Sequence, residues 1–442
     1  MNHDVTILAE QIYPLMVEWR RDFHKHPESG WLELRTASIV ASRLSKWGYD
    51  VLVGKDVIDK DSRMGLPSIE ILRKHEKLVL EQGIDSFWVS KMKEGFTGVV
   101  ATLDTKRPGK TIALRFDMDS LDLIESNDID HIPFKENFQS INEGMMHACG
   151  HDAHTSIGLG LAKLIIDQKE LVTGKIKLIF QPAEEGVRGA KSMVAAGVVD
   201  DVEIFIASHV GTGVPLGEII AGTKGFLATT KIDATFTGKA AHAGGNPEEG
   251  KNAMLAAASA ILGLHSIPRH SAGNSRINVG VCQSGTGRNI IPSSAKLQLE
   301  TRGETTIVNE FMFEQAMNVL KGAAAMYDVA LHLDIVGGAK NSESSPYVME
   351  QIVACAKHIK EIQKVSMVSE FSAGSEDATY MMERVKENGG HATYAIFGTT
   401  LAAGHHNEKF DIDESVMLIA LKTLFHTIKR FSANESLSES RK

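Results

Sequence analysis

The chain has 442 residues, of which 43% are hydrophobic and 23% are charged, a composition typical of globular proteins. Its formal net charge of −9 at pH 7 disfavours nucleic acid and anionic membrane surfaces as general partners. The 3 cysteines are too few for a disulfide framework, and the length favours two domains over a single core.

The N-terminal region lacks the features of an export signal. Acidic residues interrupt its apolar positions, and no basic segment precedes a long apolar core. No apolar run in the sequence approaches the roughly 20 residues that a membrane-spanning helix needs. We therefore expect a soluble cytoplasmic protein without membrane or nucleic-acid partners.

Helices and strands alternate in the first half of the sequence. Apolar residues at helical spacing predict a helix over 5–25 and a second over 33–47. Further strands and helices are predicted from short apolar runs and the helical stretches between them: strands at 98–103, 111–116, 175–180 and 202–207, and helices at 152–169 and 188–196. This alternation predicts a layered α/β domain with a largely parallel sheet.

Residues 54–95 fit this pattern poorly. The segment is rich in charge, with a helical stretch around 68–82 and the aromatic pair Phe87-Trp88. We interpret it as a solvated surface insertion, with a substrate cap or a contact between subunits as the alternative.

The pattern changes near residue 223. A strand, a helix, two strands, a helix and a strand are predicted in that order, at 231–237, 249–266, 275–283, 295–302, 308–327 and 329–335. This is the element order of a split β-α-β, ferredoxin-like unit. Alternation resumes after Gly337-Gly338, with a strand at 392–397 and a last helix from about 414. We therefore predict a small domain (223–337) inserted into a larger one (1–222 and 338–442).

The segment Met146–His154 concentrates residue types that bind metal ions. Cys149 and His151 flank a glycine, so their side chains can converge if the backbone there is not helical. Two adjacent glutamates in Gln181–Glu185 follow a predicted strand, where α/β proteins place ligands. Thiolate, imidazole and carboxylate donors together suit zinc, or manganese and cobalt where carboxylates dominate. Since one glutamate can bind metal while its neighbour moves protons, the pattern indicates a metallohydrolase.

An ordered set of motifs over nearly the whole chain resembles the M20 metallopeptidase and amidohydrolase superfamily. The motifs are Arg20–Glu28 with Glu33 and Thr36, Arg115–Asp119, His147–His154, Gln181–Glu185, Ala241–Ala243, Arg288–Pro292, Gly374–Asp377 and His406–Phe410. The Cys-Gly-His-Asp form at 149–152 is similar to that of N-acyl-amino-acid amidohydrolases and plant auxin-conjugate hydrolases. Arg63–Pro67 and Ala403–Phe410 resemble the branch that hydrolyses p-aminobenzoyl-glutamate.

The resemblance implies a zinc-exopeptidase-like catalytic domain with an inserted ferredoxin-like α+β domain that serves as a lid or for dimerisation. It also implies two divalent metal ions per chain, whose ligands would be Cys149, His151, Glu185, His209 and His406. The subfamily resemblance favours manganese (Mn2+), while the thiolate and imidazoles also suit zinc (Zn2+). Counting back from Phe410 favours His406 over His405, which we expect to pack beside the site.

The same resemblance implies catalytic and substrate-binding roles. Glu184 would be the general base, taking a proton from water and delivering it to the leaving amine. His242 would stabilise the oxyanion, in many members from the second molecule of a dimer. Asn289 and Arg302 would hold the substrate carboxylate, with an edge-strand surface ion pair as the alternative for Arg302.

Acidic residues near the predicted site have supporting roles in this interpretation. Asp117 and Asp119 follow a strand two residues apart, and we read them as carboxylates that orient ligands such as a histidine ring. Other branches carry His-x-Asp here, so the first position departs from that pattern. The acids of Gly374–Asp377 can line the pocket or cap a helix.

The expected reaction is hydrolysis of p-aminobenzoyl-glutamate, an N-acyl-glutamate derived from folate, to p-aminobenzoate and glutamate. The resemblance implies a homologous B subunit in a heterodimer, or a second copy in a homodimer, joined through the inserted domain. A general N-acyl-amino-acid amidohydrolase or a dipeptidase is the alternative. A non-catalytic structural role within a hydrolase complex is disfavoured because every expected site position is filled.

Overall fold

The computed structural model describes residues 3–369 and 374–439, which divide into two structural units. Unit 1 comprises the described residues up to 224, then 342–369 and 377–439. Unit 2 comprises residues 225–341 and 374–376. The lid or dimerisation role predicted for the inserted segment stays a prediction.

The chain enters unit 1 through alternating helices and strands. The helices are α1 (His3–Lys25), α2 (Leu34–Lys46), α3 (Ile69–Glu81), α4 (Ser86–Lys91), α5 (Ile132–Lys135), α6 (His151–Asp167) and α7 (Ala190–Ala195). The strands are β1 (Asp50–Val53), β2 (Val99–Asp104), β3 (Thr111–Asp117), β4 (Lys175–Gln181), β5 (Ile204–Val210) and β6 (Glu218–Ile220). Most predicted elements of this half therefore occur, within a few residues of their predicted bounds.

The remaining elements complete unit 2 and then return to unit 1. Unit 2 contains β7 (Ala228–Thr237), α8 (Ala253–His265), β8 (Ser275–Ser284), β9 (Ser294–Gly303), α9 (Thr306–Met326) and β10 (Ala330–Ala339). Unit 1 resumes with α10 (Pro346–Ala356), β11 (Lys364–Ser366), α11 (Ala378–Glu387), β12 (His391–Phe397) and α12 (Ser415–Glu439).

In the described part of unit 1, eight strands form one sheet in the order β1-β2-β4-β3-β5-β12-β6-β11. The central strands β4, β3, β5 and β12 are parallel neighbours. The prediction of a largely parallel sheet is confirmed, since β6–β11 is parallel as well; the antiparallel pairs of this sheet are β1–β2, β2–β4 and β12–β6. The reason at β2 is the short link 105–110 to β3, which is too short for the crossover that parallel strands require.

Helix α6 is buried on nearly all sides, and its first turn directly follows Gly150. At Gly158, an added Cβ would lie 2.7 Å from the rings of Phe116 and Phe180, and at Gly160 it would lie 2.5 Å from Met16. The two glycines therefore let α6 lie close to β3, β4 and α1, which positions its N-terminus against the sheet.

The segment 54–95 is more than a solvated insertion. Val79, Val89 and Met92 are at most 1% exposed and belong to the main apolar core, while Ile71 and Phe87 are about half exposed. The segment is therefore amphipathic: the apolar face of α3 and α4 packs on the core of unit 1, and the other face is exposed.

Unit 2 has the split β-α-β topology expected from the element order. Its four-stranded antiparallel sheet has the order β10-β7-β9-β8. Alternate side chains of β9, such as Leu297 and Leu299, are buried with α8 and α9 in one apolar core. The other residues of β9, including Glu300 and Arg302, therefore lie on the opposite sheet face.

Among the described residues, none of the helices combines the length and apolar character needed to cross a membrane.

Candidate metal centre

The candidate site lies at the carboxyl ends of the central parallel strands. Asp117 ends β3, Gln181 ends β4 and His209 is the penultimate residue of β5. Because these strands are parallel neighbours, the residues that follow them converge at one sheet edge. The sequence placed ligands after these strands, and the tertiary structure brings those strand ends together.

The turn before α6 places Cys149 and His151 side by side. Gly150 between them has φ +93°, a left-handed backbone conformation that residues with a side chain rarely adopt. A Cβ at Gly150 would also lie 2.7 Å from Cγ2 of Val210. Glycine is therefore required here for both backbone and steric reasons.

Two groups of potential donor atoms share the sulfur of Cys149. One group adds the imidazoles of His151 and His209, and the other adds Glu185 and His406. Within each group the donor atoms lie within 4.8 Å of one another. The five residues that the sequence predicted as ligands therefore come together in unit 1.

Hydrogen bonds leave one nitrogen of two histidines facing this cluster. Nδ1 of His151 lies 2.9 Å from the carbonyl oxygen of Asp119, and Nδ1 of His209 lies 2.8 Å from that of Val210. Since a carbonyl only accepts, Nδ1 of each ring carries a proton, which leaves Nε2 as the nitrogen that could bind a metal ion. Nε2 of His209 lies 3.4 Å from Sγ of Cys149.

The donor set fits a divalent cation. Nε2 of His151 and Oε1 of Glu185 are buried and form no hydrogen bond within the described chain. Buried polar atoms without partners are uncommon and often mark a missing ion or water. Thiolate, imidazole and carboxylate donors at these positions are those expected of zinc or manganese sites.

Burial opposes protonation of His151, but Asp117 and the hydrogen bond to Asp119 raise its pKa well above the ordinary value, so a bound cation would have to displace a proton from this ring. Burial raises the pKa of the Cys149 thiol to about 12, and the nearby carboxylates of Glu185 and Asp117 add to the rise although His151 opposes it. Burial, together with neighbouring histidines, lowers the pKa of His209 well below its ordinary value. A cation stabilises the thiolate and requires neutral imidazole, so it would favour Cys149 as an anion beside neutral His209.

His154, three residues after His151, is held by protein atoms on both sides of its ring. Nδ1 lies 2.6 Å from Oδ1 of Asp117, and the backbone N–H of Val210 donates to Nε2 at 3.0 Å. Both ring nitrogens are therefore occupied, and His154 links β3 to β5 beneath the cluster. The sequence contained it within the His147–His154 motif but gave no sign of this role.

The adjacent histidines 405 and 406 differ in their surroundings. The N–H of Thr212 donates to Nε2 of His405 at 3.0 Å, and Nδ1 of His405 lies 3.6 Å from Cys149 Sγ. Nε2 of His406 instead lies 3.4 Å from Oε1 of Glu185, and its side chain is 56% exposed. His405 thus packs beside the sulfur, while His406 faces the second donor group.

The backbone of the Pro-Ala-Glu-Glu segment is held by two carboxylates. Glu33 accepts the N–H of Ala183 at 2.7 Å, and Asp119 accepts those of Glu184 and Glu185 at 3.0 and 2.8 Å. Burial, with Asp119 nearby, raises the pKa of Glu33 to about 8. Asp119 thereby orients both glutamates and, through its carbonyl, His151. Glu33 belonged to one of the sequence motifs, but the sequence did not reveal its contact.

A buried network lies beneath the cluster. Arg115 donates to Asp117 at 2.6 Å and to Gln181 at 2.8 Å, and it also reaches Asp377 at 3.3 Å. Asp377 accepts the N–H groups of residues 189 and 190, at the start of α7. The carboxylate therefore caps α7 and not the helix that it precedes, α11, which the sequence could not distinguish.

Unit 2 brings His242 and Asn289 together but holds Arg302 elsewhere. His242 pairs with Ile290 in an isolated bridge, and the N–H of residue 243 donates to the carbonyl of Asn289 at 3.0 Å. Both lie beyond the Ser294 end of β9, whereas Arg302 is near its other end. The eight residue steps from Ser294 to Arg302 alone span roughly 25 Å.

Arg302 lies on an inner strand, so the edge-strand alternative is wrong. It does form an ion pair, with Nε 2.8 Å from Oε1 of Glu300 and Nη2 3.2 Å from Oε2.

The chain is similar to known proteins over most of its length. The profile of Peptidase family M20/M25/M40 matches residues 113–430. The indole-3-acetyl-aspartic acid hydrolase of Enterobacter agglomerans is 55% identical over 425 residues, covering 95% of this chain and 97% of that protein. One of the subunits of the p-aminobenzoyl-glutamate hydrolase of Escherichia coli K12 is 51% identical over 431 residues, 98% of each chain. The crystal structure of an aminobenzoyl-glutamate utilization protein from Klebsiella pneumoniae superposes with a TM-score of 0.85 at 49% identity, covering 97% of this chain and 98% of that one.

Proposed function

The chain belongs to peptidase family M20/M25/M40 and is a metal-dependent hydrolase of amide bonds, and from this premise we propose that it cleaves p-aminobenzoyl-glutamate to p-aminobenzoate and glutamate. The observation that carries the proposal is the pair of donor groups sharing Cys149 in a chain 51% identical to one component of a p-aminobenzoyl-glutamate hydrolase.

We assign the ligands of two divalent ions to Cys149, His151, Glu185, His209 and His406, with manganese as the proposed metal and zinc as the alternative. Divalent cations at these donors would polarise the amide carbonyl and acidify water. The support is that the buried atoms Nε2 of His151 and Oε1 of Glu185 form no hydrogen bond within the described chain.

Glu184 is the proposed general base. Its carboxylate would take a proton from the attacking water and return it to the amine nitrogen as the amide bond breaks. Asp119 supports this role because it holds the N–H of Glu184 and so limits movement of the carboxylate. Oε2 of Glu184 lies 3.9 Å from Nε2 of His151, beside the donor groups.

His242 is the proposed hydrogen-bond donor to the oxyanion, with Asn289 and Arg302 as carboxylate binders. The roughly 25 Å along β9 argues that Arg302 does not serve the same substrate molecule as His242 and Asn289 of its own chain. We therefore propose that two chains complete each site, as a heterodimer with a homologous B subunit or as a homodimer. The Escherichia coli relative is named as one of several subunits of its hydrolase, which supports the heterodimer.

Indole-3-acetyl-aspartate is the second candidate substrate, favoured by the 55% identity to the Enterobacter agglomerans hydrolase. Both candidates join an aromatic acyl group to an acidic amino acid. The cytoplasmic location predicted from the sequence stays a prediction.

The test is release of glutamate from p-aminobenzoyl-glutamate by the purified, manganese-loaded chain, first by itself and then with the homologous second chain. We expect turnover that a chelator abolishes and that added manganese restores. Indole-3-acetyl-aspartate is assayed in parallel. Turnover of that conjugate alone would replace the proposed substrate with the second candidate, and turnover of neither, with metal content verified, would refute both.

A further inference from the structure

Three arginines line one concavity on the open sheet face of unit 2. Arg269, Arg276 and Arg302, with Asn278 and Glu300, surround a cavity of about 350 Å³. This volume lies at the lower end of the roughly 300–1,000 Å³ typical of small-molecule sites. Glu300 is the single carboxylate among the lining residues.

Arg276 and Arg302 are directly opposite each other on β8 and β9. Side chains in this relation lie on the same face with Cβ atoms about 5 Å apart, and like charges there destabilise the sheet. Glu300 contacts Arg302 through Nε and Nη2, and in the described chain neither Arg276 nor Arg269 forms an ion pair. The arrangement therefore has more cationic charge than the protein neutralises, in a chain whose net charge is −9.

Glu300 leaves part of Arg302 available for a ligand. A guanidinium has five N–H donors, and the two that point at Glu300 leave Nη1 and the second N–H of Nη2. The ion pair thus fixes the plane of the guanidinium without consuming it. Arginine forks of this kind bind carboxylates bidentately.

Resting on the proposed function, we propose that Arg276, with Arg269 beside it, binds the side-chain carboxylate of an acidic amino-acid substrate while Arg302 binds its α-carboxylate. Two carboxylates on one short carbon chain would match two neighbouring arginines and relieve their repulsion. The site would then select N-acyl conjugates of glutamate or aspartate over those of neutral amino acids.

The test compares p-aminobenzoyl-glutamate with p-aminobenzoyl-glutamine, which differ only in the charge of the side-chain end. We expect the unmodified enzyme to prefer the glutamate conjugate in kcat/KM. Arg276→Gln should lower kcat/KM for that conjugate about 10- to 100-fold, mainly through KM, and change it little for the glutamine conjugate. Arg302→Gln should lower kcat/KM for both conjugates, because both carry the α-carboxylate.

Lys296→Gln is the matched control, since it removes one positive charge from the neighbouring strand β9 of the same sheet, at a residue paired with Asp233. It should leave the preference unchanged, and thermal unfolding of each variant checks that it is folded. If Arg276→Gln leaves the glutamate-to-glutamine ratio unchanged, the inference is wrong although the proposed function stands. If p-aminobenzoyl conjugates are not cleaved, the indole-3-acetyl conjugates of aspartate and asparagine make the same comparison. Lack of preference for the acidic member in both pairs would overturn the inference.

Discussion

Proton positions on individual side chains determine which atoms can bind metal. Carbonyl oxygens of Asp119 and Val210 hold a proton on Nδ1 of His151 and His209, and Nε2 of His209 lies 3.4 Å from Sγ of Cys149. His154 has both nitrogens engaged and is excluded as a ligand although it lies among them. Ligands and supports that look alike in sequence are thus separated by hydrogen bonds.

Glu184→Gln should keep the metal and lose turnover. The amide has nearly the same shape but cannot accept the proton, so we expect kcat to fall about 10²- to 10⁴-fold. Metal content per chain, measured beside kcat, should match the unmodified protein. Glu350→Gln, exposed on α10, is the control and should have no effect. Near-normal activity of Glu184→Gln would show that another group is the base.

Arg115→Leu should destabilise unit 1 strongly. The variant leaves Asp117 and Asp377 buried without their cation, which costs about 3–5 kcal/mol of unfolding free energy. Arg384→Leu removes an exposed pair with Asp200 and should change stability little. Denaturant unfolding of the metal-free proteins measures both, and equal effects would contradict the distinction between buried and exposed pairs.

Helix α1 is joined to the start of α6 by a buried ionic network. Arg20 and His24, one helical turn apart, both contact Oδ2 of Asp152 at 2.8 Å, and His24 also contacts Glu125 at 3.0 Å. Asp152 follows His151 directly, so α1 holds the helix start that carries this predicted ligand and follows Cys149. Charge pairing, rather than apolar contact alone, sets the position of this helix end.

The His24 interaction should make stability depend on pH. Burial opposes protonation, but hydrogen bonds to Asp152 and Glu125 raise the pKa of His24 to about 9, against an ordinary value of 6.5. Below pH 6.5 both folded and unfolded states hold the proton and the contribution is complete. Between pH 6.5 and 9 only the unfolded state loses its proton, so stability falls as pH rises, by up to about 3 kcal/mol.

His24→Gln should remove this part of the pH dependence. Unfolding free energy measured from pH 6 to 10 should therefore fall less steeply for the variant than for the unmodified chain. Parallel curves for the two proteins would show that His24 does not titrate as described.

Gly150→Ala should weaken metal binding by distorting the turn between Cys149 and His151. Alanine would be strained in the left-handed backbone conformation of this position, and its Cβ would lie 2.7 Å from Cγ2 of Val210. Gly83→Ala is the control, since it has φ +78° and no atom within 4 Å of its Cβ. Titration with manganese should show lower affinity for the first variant alone, and equal affinities would mean that the turn tolerates a side chain.

At the scale of the whole molecule, the separation of Arg302 from His242 and Asn289 requires a second chain if all three act on one substrate. Mixing Glu184→Ala protomers with His242→Ala protomers should then restore activity, because one site of each mixed dimer has both residues. Random mixing of a homodimer would restore about a quarter of the normal rate.

A mixed dimer verified by mass that shows no recovery would refute a contribution of His242 in trans. The same experiment with the homologous second chain carrying one of the two changes tests the heterodimer. The reference is each variant measured by itself, which should remain inactive while its metal content is unaltered.

The amino-acid sequence determined the local features: most helices and strands, the split β-α-β order, and the candidate site residues Cys149, His151, Glu184 and Glu185, because periodicity and adjacent residues encode them. The family resemblance supplied His209, which lies at the penultimate position of the central strand β5. Only the tertiary structure decided that Asp377 caps α7, that residues 54–95 bury one face, and that Arg276 lies opposite Arg302. These depend on strand order and register between residues far apart in the chain, which local patterns do not specify.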